Sequence, residues 1–358
     1  MTSVSLCMIV KNEEAVLGRC LACVAGFVDE IVIIDTGSTD RTKEVARQYT
    51  EKVYDFSWQD DFASARNFAF SKGRGEYLFW LDADDVILEG ELEKLKELKV
   101  RLTAEKPDFV MLLYAVGFDE QGRPSFTFYR ERLIRRCERA VWRGRVHEAV
   151  VPFGTIWKEE IVIEHRKEKA PDSGRNLRIF EKMRTDGESF GAREQYYYGK
   201  ELYYHRRYKE AVRELENFLE RPDGWKENKL DACRHLAKCR YGLSENGEAI
   251  KALFNGLQYG IPRPELCCDI GSWFLERQEF VEAAYWYRQA LKNRKQGSTD
   301  GFIQEELRGY VPCLQLCVCY DRLGKKRLAE QFNRLAERFK PGTKACEHNR
   351  RYFEEGRK

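Results

Sequence analysis

The pattern of apolar residues changes near the middle of the chain. Up to about residue 165, continuous apolar runs such as SVSLCMIV and EIVIID alternate with segments such as EAVLGRCLACVAGF, in which apolar residues recur at helical spacing. This alternation predicts a mostly parallel, Rossmann-like sheet covered by helices, with a ligand site beyond the carboxyl ends of the strands. After about residue 175 only helical spacing remains. We therefore expect an α/β domain over residues 1–170 and an all-α domain over residues 176–358.

The helical half repeats pairs of small residues twelve positions apart, beginning with Gly199 and Ala211 and recurring at Gly271 and Ala283. Two further pairs occupy equivalent places: Ala237 with Ala249, and Cys317 with Ala329. Small residues at such positions let two antiparallel helices approach closely, and this pattern resembles the tetratricopeptide repeat. The resemblance implies a helical solenoid of degenerate repeats.

Composition excludes several classes of protein. The chain has 358 residues, 62 Lys and Arg, 59 Asp and Glu, and a formal net charge of +3, which argues against a nucleic-acid partner bound by bulk charge. No apolar run has the length of a membrane span, and the amino terminus lacks a signal-peptide pattern. The twelve cysteines are scattered, and only Cys20 and Cys23 form a C-x-x-C. We expect reduced thiols, mostly in the core of a cytoplasmic protein.

An acidic cluster follows one of the predicted strands. The run YLFWL leads directly into Asp82, Asp84 and Asp85. Like charges this close raise one another's pKa unless a cation shares the site, and carboxylates suit Mg²⁺ or Mn²⁺. The alternative is a solvated acidic turn before the helix LEGELEKLKELKV, and these residues alone leave both interpretations open.

Three further motifs follow other predicted strands or begin helices: MIVKNEE, IDTGSTDRT and DDFASARNFA. Alone, each is a capped strand–turn–helix, and Arg66 by itself is typical of a surface residue. In order, and together with LDADD, they resemble the nucleotide-sugar half of the family-two inverting glycosyltransferases of the GT-A fold, over residues 3–165. Within that family the chain looks closest to SunS-like peptide S-glycosyltransferases, and it is also similar to bacterial lipopolysaccharide-core transferases.

The resemblance implies roles for individual residues. Asp82 would contact the ribose, and Asp84 would ligate Mn²⁺ or Mg²⁺ with Asp85 in support. The remaining nucleotide-sugar contacts would come from Val10, Asn12, Glu13, Asp35, Asp61, Arg66 and Ala83. Many relatives carry a second acid where this chain has Thr36, so either Asp35 or Asp61 would read the base.

Downstream, the resemblance places a general base at Glu148, a glycine of the acceptor loop at Gly144 and a metal-binding histidine at His165. His147 would orient the base or contact the sugar phosphates, and Trp142 would stack on a sugar. Without the upstream motifs the structural interpretations are favoured: His147 and Glu148 as a helix-start pair, His165 as a strand-end residue and Trp142 as part of the core. The run YRERLIRR holds four arginines: Arg130, Arg132, Arg135 and Arg136. One interpretation is that they reach the phosphates, but strand alternation sends them to both faces and favours solvent exposure.

Together these features predict a metal-dependent inverting transferase that moves a hexose from a UDP-sugar. Because solenoids bind extended segments, we expect a protein or peptide acceptor, linked through oxygen or sulfur and recruited by the repeats, which could also form a homodimer. A glycan or lipopolysaccharide-core acceptor is one alternative. The other is a non-catalytic adaptor with a vestigial nucleotide-binding domain.

Overall fold

The computed structural model describes residues 2–168, 172–294 and 301–356. It divides into two compact units, Met1–Ser189 and Phe190–Lys358. Whereas the sequence suggested that the helical domain begins at residue 176, the helix over Arg175–Thr185 belongs to the first unit. Its contacts explain this placement, because Lys182 pairs with Asp60 at 2.7 Å.

The first unit contains ten strands and five helices among its described residues. The strands are β1 (Val4–Val10), β2 (Glu30–Asp35), β3 (Val53–Asp55), β4 (Tyr77–Phe79), β5 (Asp85–Val86), β6 (Phe109–Phe118), β7 (Pro124–Arg135), β8 (Trp142–Arg143), β9 (Ala149–Val150) and β10 (Ile156–His165). The helices are α1 (Leu17–Val24), α2 (Thr42–Arg47), α3 (Phe62–Lys72), α4 (Glu89–Glu105) and α5 (Arg175–Thr185).

The main sheet of this unit has the order β3-β2-β1-β4-β7-β6-β10-β5. Strands β3, β2, β1 and β4 are mutually parallel, β10 is parallel to β6, and β7 runs antiparallel to both of its neighbours. The predicted mostly parallel α/β architecture is confirmed. Strands β8 and β9 form a separate short hairpin.

Burial on both faces explains the continuous apolar runs. Six of the seven residues of β1 are buried, because helices cover both faces of a parallel sheet. Helix α1 presents Leu17, Leu21 and Val24 to the core, at the spacing of one helical face. Strand β4 ends at Phe79, although the apolar run continues through Trp80 and Leu81, which are buried without being part of the ladder.

The second unit is built from helices with one two-residue strand, β11 (Ile303–Gln304), among its described residues. The helices are α6 (Ala192–Tyr204), α7 (Tyr208–Glu220), α8 (Lys226–Gly242), α9 (Asn246–Asn255), α10 (Pro264–Glu276), α11 (Phe280–Asn293), α12 (Tyr310–Arg322), α13 (Lys326–Phe339) and α14 (Lys344–Glu355). Consecutive helices pack as pairs, which confirms the predicted helical repeat domain.

The small residues lie where paired helices touch. A Cβ added to Gly199 would lie 2.8 Å from Leu215 Cδ2, and one added to Gly271 would lie 3.1 Å from the Tyr287 ring. Their partners Ala211 and Ala283 are fully buried. Small residues therefore lie at tight contacts between these paired helices, as the spacing in the sequence predicts.

All twelve cysteines are free thiols, as predicted, and ten of them are buried. Cys23 is half-buried and Cys137 is exposed. Among the described residues, the helices are too short or too polar for any of them to cross a membrane.

Gly75 provides a test of the packing beneath the sheet. A Cβ at this position would lie 2.6 Å from the backbone nitrogen of Ser5, which the parallel ladder holds in place. We therefore expect Gly75→Ala to destabilise the protein by about 1–3 kcal/mol, the usual cost of overpacking. The measurement is the midpoint of chemical denaturation.

Gly90→Ala is the matched control, because an added Cβ there meets nothing within 4 Å in the first turn of α4. This change should be neutral or stabilising by up to about 1 kcal/mol through helix propensity. Equal midpoints for the two variants would contradict the close approach at Gly75.

Candidate active site

A cavity of about 480 Å³ opens beyond the carboxyl ends of β1 and β4 in the first unit. Nine residues predicted for the site line it: Val10, Glu13, Arg66, Asp82, Ala83, Asp84, His147, Glu148 and His165. Residues that were not predicted for the site also line it, among them Lys11, Trp58, Trp80, Tyr114, Arg130 and Arg175. Sequence positions from 10 to 175 thus meet at one edge of the sheet.

Each acid of the DADD motif has a cationic or imidazole partner within the protein. Asp82 Oδ1 accepts a hydrogen bond from Arg66 Nη2 at 2.8 Å. Asp85 pairs with Arg132 at 3.1 Å, and the side chains of both are fully buried. Asp84 lies 3.1 Å from His165 Nδ1. The solvated-turn interpretation of this motif is therefore wrong.

Arg66 joins two loops that are distant in sequence. Its Nε donates to Glu148 Oε1 at 2.6 Å while its Nη2 reaches Asp82, and its guanidinium lies 4.4 Å from the centre of the Trp80 ring. Burial lowers the pKa of Arg66, but the carboxylates of Glu148 and Asp82 outweigh burial and raise it. Burial raises the pKa of Asp82, and the two nearby arginines reverse this and lower it. A surface role for Arg66 is wrong.

Arg132 lies behind the cavity, sandwiched between aromatic rings. Its guanidinium carbon is 3.9 Å from the centre of the Trp80 ring and 4.3 Å from that of Tyr114. Nη1 donates to the Trp80 carbonyl at 3.1 Å as well as to Asp85. The Tyr114 hydroxyl donates to the other oxygen of Asp85 at 2.8 Å. Asp85 is thus fixed from two sides.

The predicted solvent exposure of the β7 arginines is wrong for Arg132 and Arg130. Strand β7 lies between β4 and β6 inside the sheet, so alternating side chains enter buried space on either face. Arg132 is fully buried, and Arg130 keeps 21% of its side chain exposed where it lines the cavity. Arg136, beyond the end of the strand, is exposed as expected.

The donor set fits a divalent cation. One ligand atom from each of Asp82, Asp85 and His165 lies within 4.8 Å of the others, and Asp84 contacts the same imidazole. Burial lowers the pKa of His165, but hydrogen bonds to Asp84 and Asp85 raise it to about 9. Carboxylate oxygens with one imidazole suit Mn²⁺ or Mg²⁺.

The charge balance supports the same conclusion. Four carboxylates, those of Asp82, Asp84, Asp85 and Glu148, face two guanidinium groups, those of Arg66 and Arg132. Arg130 adds no surplus because it pairs with Glu131 at 3.3 Å. Two negative charges are left over on these groups, and the protonated imidazole that the raised pKa of His165 indicates offsets one of them. A divalent cation that displaces this proton would neutralise both.

A five-residue hairpin loop carries the downstream motif. It connects β8 to β9 and runs from Gly144 to Glu148, with left-handed backbone at Gly144 (φ 92°) and His147 (φ 53°). The His147 ring stacks on Phe180 of α5 at 6.4 Å. These turns direct the last three residues of the loop into the cavity.

Asn67 is a positioning residue that the sequence analysis missed. Its side chain donates to the Trp142 carbonyl at 3.0 Å and accepts from the Trp142 amide at 2.8 Å. Neighbouring residues of α3 therefore fix the hairpin at two points: Asn67 holds β8 and Arg66 holds Glu148. In the sequence, the only sign of this double attachment is that Arg66 and Asn67 are adjacent in the motif DFASARN.

Two predicted contacts near the first strand ends do not line the cavity. Asn12 Oδ1 accepts from the Thr39 amide at 2.7 Å, so this side chain ties the turn after β1 to the turn after β2. Asp35 is buried and accepts from the amides of Gly37 and Ser38. Both side chains shape the backbone of these turns.

Three further predicted contacts also lie away from the cavity surface. Asp61 caps α3 by accepting from the Ser64 amide at 2.9 Å. Trp142 is buried beneath Arg66, with its ring 5.1 Å from that of Trp80. Gly144 provides the left-handed turn at the start of the hairpin loop. The expected stacking of Trp142 on a sugar is therefore incorrect, because no face of its ring reaches the cavity.

Residues 5–148 match the family described as Glycosyl transferase family 2. A TPR repeat-containing protein of Synechococcus elongatus is 44% identical over 151 residues, which cover 42% of this chain and 36% of that protein. The lipopolysaccharide core biosynthesis glycosyltransferase LpsC of Rhizobium meliloti is 30% identical over 160 residues, covering 42% and 57%. The prophage-derived glycosyltransferase SunS of Bacillus subtilis is 27% identical over 144 residues, covering 39% and 33%. The matched region thus spans about a third to somewhat over half of these relatives.

Removing Arg132 tests how strongly the acid cluster depends on its buried cation. Arg132→Met would leave Asp85 charged, buried and without its ion pair, a loss that typically costs about 3–5 kcal/mol. We expect the denaturation midpoint to fall accordingly. Arg41→Met is the control, because the Arg41–Glu14 pair is exposed and contributes at most about 1 kcal/mol. Similar losses in the two variants would contradict this assignment.

Proposed function

We propose that the protein transfers a hexose from a UDP-sugar, with inversion at the anomeric carbon, because residues 5–148 match glycosyl transferase family 2. The observation that carries this proposal is the convergence of Glu148, Asp82, Asp84 and His165 on one cavity. A general base, a set of metal ligands and a cationic bridge between them are the groups that a single displacement requires.

In this proposal the cavity holds the donor through the DADD segment. Asp82 contacts the ribose, and Asp84 with His165 holds Mn²⁺ or Mg²⁺. The ion, when bound, acts as a Lewis acid that neutralises charge on the leaving diphosphate. Asp85 stays with Arg132 and Tyr114 and keeps the segment in place. Arg130 presents a guanidinium to the same cavity and suits a phosphate oxygen.

Glu148 takes the proton from the acceptor as the new glycosidic bond forms. A positioned base of this kind contributes about 10²–10⁴-fold to the rate. Arg66 fixes one oxygen of Glu148 and, through Asp82, ties the base to the donor site. The same guanidinium therefore sets the distance between the two reactants, as alignment in a displacement requires.

For the acceptor we propose a protein or peptide side chain, linked through oxygen or sulfur and recruited by the repeat unit. The paired helices support this, since stacked helical pairs form extended binding surfaces, and similarity to SunS favours the same class. Similarity to LpsC supports the alternative of a lipopolysaccharide-core acceptor. A vestigial adaptor is disfavoured, because Asp84, Glu148 and His165 are all present and line one cavity.

Two substitutions separate binding from turnover. Asp84→Ala should abolish metal-dependent hydrolysis or transfer from a UDP-hexose, because it removes a proposed ligand. Glu148→Gln should keep nucleotide-sugar binding and lower kcat by about 10²–10⁴-fold. Steady-state kinetics with Mn²⁺ or Mg²⁺ measure the turnover of both.

Glu93→Gln is the control for these variants, because Glu93 is exposed on α4 and pairs only with Lys96 among the described residues. Its kinetics should match those of the unmodified protein. Retained turnover in both Asp84→Ala and Glu148→Gln would overturn the site assignment.

Metal dependence can be tested without knowing the acceptor. A ligand that binds only the folded state stabilises it by about 2.7 kcal/mol at a hundredfold excess over Kd. We expect a UDP-hexose to raise Tm when Mn²⁺ or Mg²⁺ is present and to have little effect after chelation with EDTA. A panel of nucleotide sugars in the same assay would identify the donor. An equal shift with and without metal would contradict the proposed role of Asp84 and His165.

A further inference from the structure

Two thiols lie directly behind the DADD segment. Cys20 and Cys23 lie on the same side of α1, and the Cys23 thiol donates to the Cys20 carbonyl at 3.0 Å. Cys20 is fully buried, and its thiol donates to the Asp82 carbonyl at 3.4 Å. Cys23 is half-buried, and its sulfur accepts from the Ile87 amide at 3.4 Å.

The two contacts hold opposite ends of one short segment. Residues 82–87 contain the three acids, and Cys20 touches the segment at its first residue while Cys23 touches it at its last. Between them, β5 pairs with β10 so that Asp85 lies opposite His165. The thiols thus support from behind the segment that presents its carboxylates to the cavity.

We propose that Cys20 and Cys23 form a reversible disulfide that loosens the DADD segment and lowers activity at the cavity. Their effect on turnover rests on the proposed function, whereas the disulfide itself and its effect on the segment do not. In a regular α-helix the Cβ atoms of residues three positions apart lie about 5–6 Å from each other. A disulfide needs about 3.5–4.5 Å, so the last turn of α1 must shift when the bond forms.

The chemistry is a thiol–disulfide exchange with a low-molecular-weight disulfide such as oxidised glutathione. Cys23, the more accessible thiol, loses its proton and attacks one sulfur of the oxidant, which releases one molecule of reduced thiol. Cys20 then attacks Cys23 Sγ in the mixed disulfide and displaces a second molecule of reduced thiol. Two cysteine thiols are oxidised, and one small disulfide is reduced to two thiols.

Oxidation removes the support at both ends of the segment. A disulfide sulfur carries no hydrogen, so Cys20 can no longer donate to the Asp82 carbonyl. Cys23 Sγ must turn toward Cys20 and away from the Ile87 amide. Leu21 and Val24 beside these residues are packed in the core, so a shift of this helical turn also disturbs their packing.

The test compares reduced and oxidised full-length protein. After treatment with oxidised glutathione we expect an intact mass lower by two hydrogens and a Cys20–Cys23 cross-link in peptide mapping. Amide hydrogen exchange should become faster across residues 82–87, and UDP-hexose turnover should fall at least several-fold. Dithiothreitol should restore both.

Two variants keep the result interpretable. Cys23→Ser should remain active and become insensitive to the oxidant, because a serine oxygen can still accept from the Ile87 amide; Cys20→Ser serves if that variant does not fold. Cys137→Ser should remain sensitive, because this exposed thiol follows the end of β7 that pairs with the start of β4, whereas the DADD segment follows the other end of β4. If no Cys20–Cys23 bond forms under conditions in which Cys137 is fully modified, the proposal is wrong. It is also wrong if the bond forms and exchange at residues 82–87 is unchanged. Faster exchange without any measurable turnover in the reduced protein would instead count against the proposed function alone.

Discussion

Arg66 donates hydrogen bonds to two carboxylates from different loops, Asp82 after β4 and Glu148 after β8. Much of the first unit depends on this bridge, because either carboxylate alone would be costly to bury. Aromatic rings close over the guanidinium and exclude water, which strengthens both ion pairs. An arginine suits this bridge, because its planar guanidinium offers several donors in a fixed fork that reaches both carboxylates.

Behind this bridge a second buried arginine performs a different task. Arg132 has no exposed surface and holds Asp85, which leaves Asp84 and His165 at the cavity with their ligand atoms close together. One acid of the motif is thus structural, and its neighbours remain available for chemistry. The carboxylates of Asp82, Asp84, Asp85 and Glu148 outnumber the guanidinium groups of Arg66 and Arg132, and this local excess of negative charge is the physical basis for expecting a divalent cation there.

The second unit is stabilised by close approach of helices. Its small residues recur at fixed spacing because each helical pair repeats the same contact. Gly199, which the spacing predicts to lie between two helices, is found in close contact with Leu215 of the next helix. Such contacts join residues that are close in sequence, so the spacing of small residues in one sequence is enough to predict them. The contacts of the first unit join residues far apart in sequence, such as Arg66 with Glu148 and Asp60 with Lys182, and no local pattern encodes their geometry.

The sequence by itself determined the alternation of strands and helices, the helical repeats, and the chemical types gathered at the carboxyl ends of the strands, because periodicity and motif order are local properties. Only the tertiary structure decided which of those side chains face the cavity. Asp61 and Asp35 turn to backbone amides, Trp142 is buried, and Arg132 enters the core because β7 lies inside the sheet. Strand order and burial set these directions, and both arise from contacts between segments that are far apart along the chain.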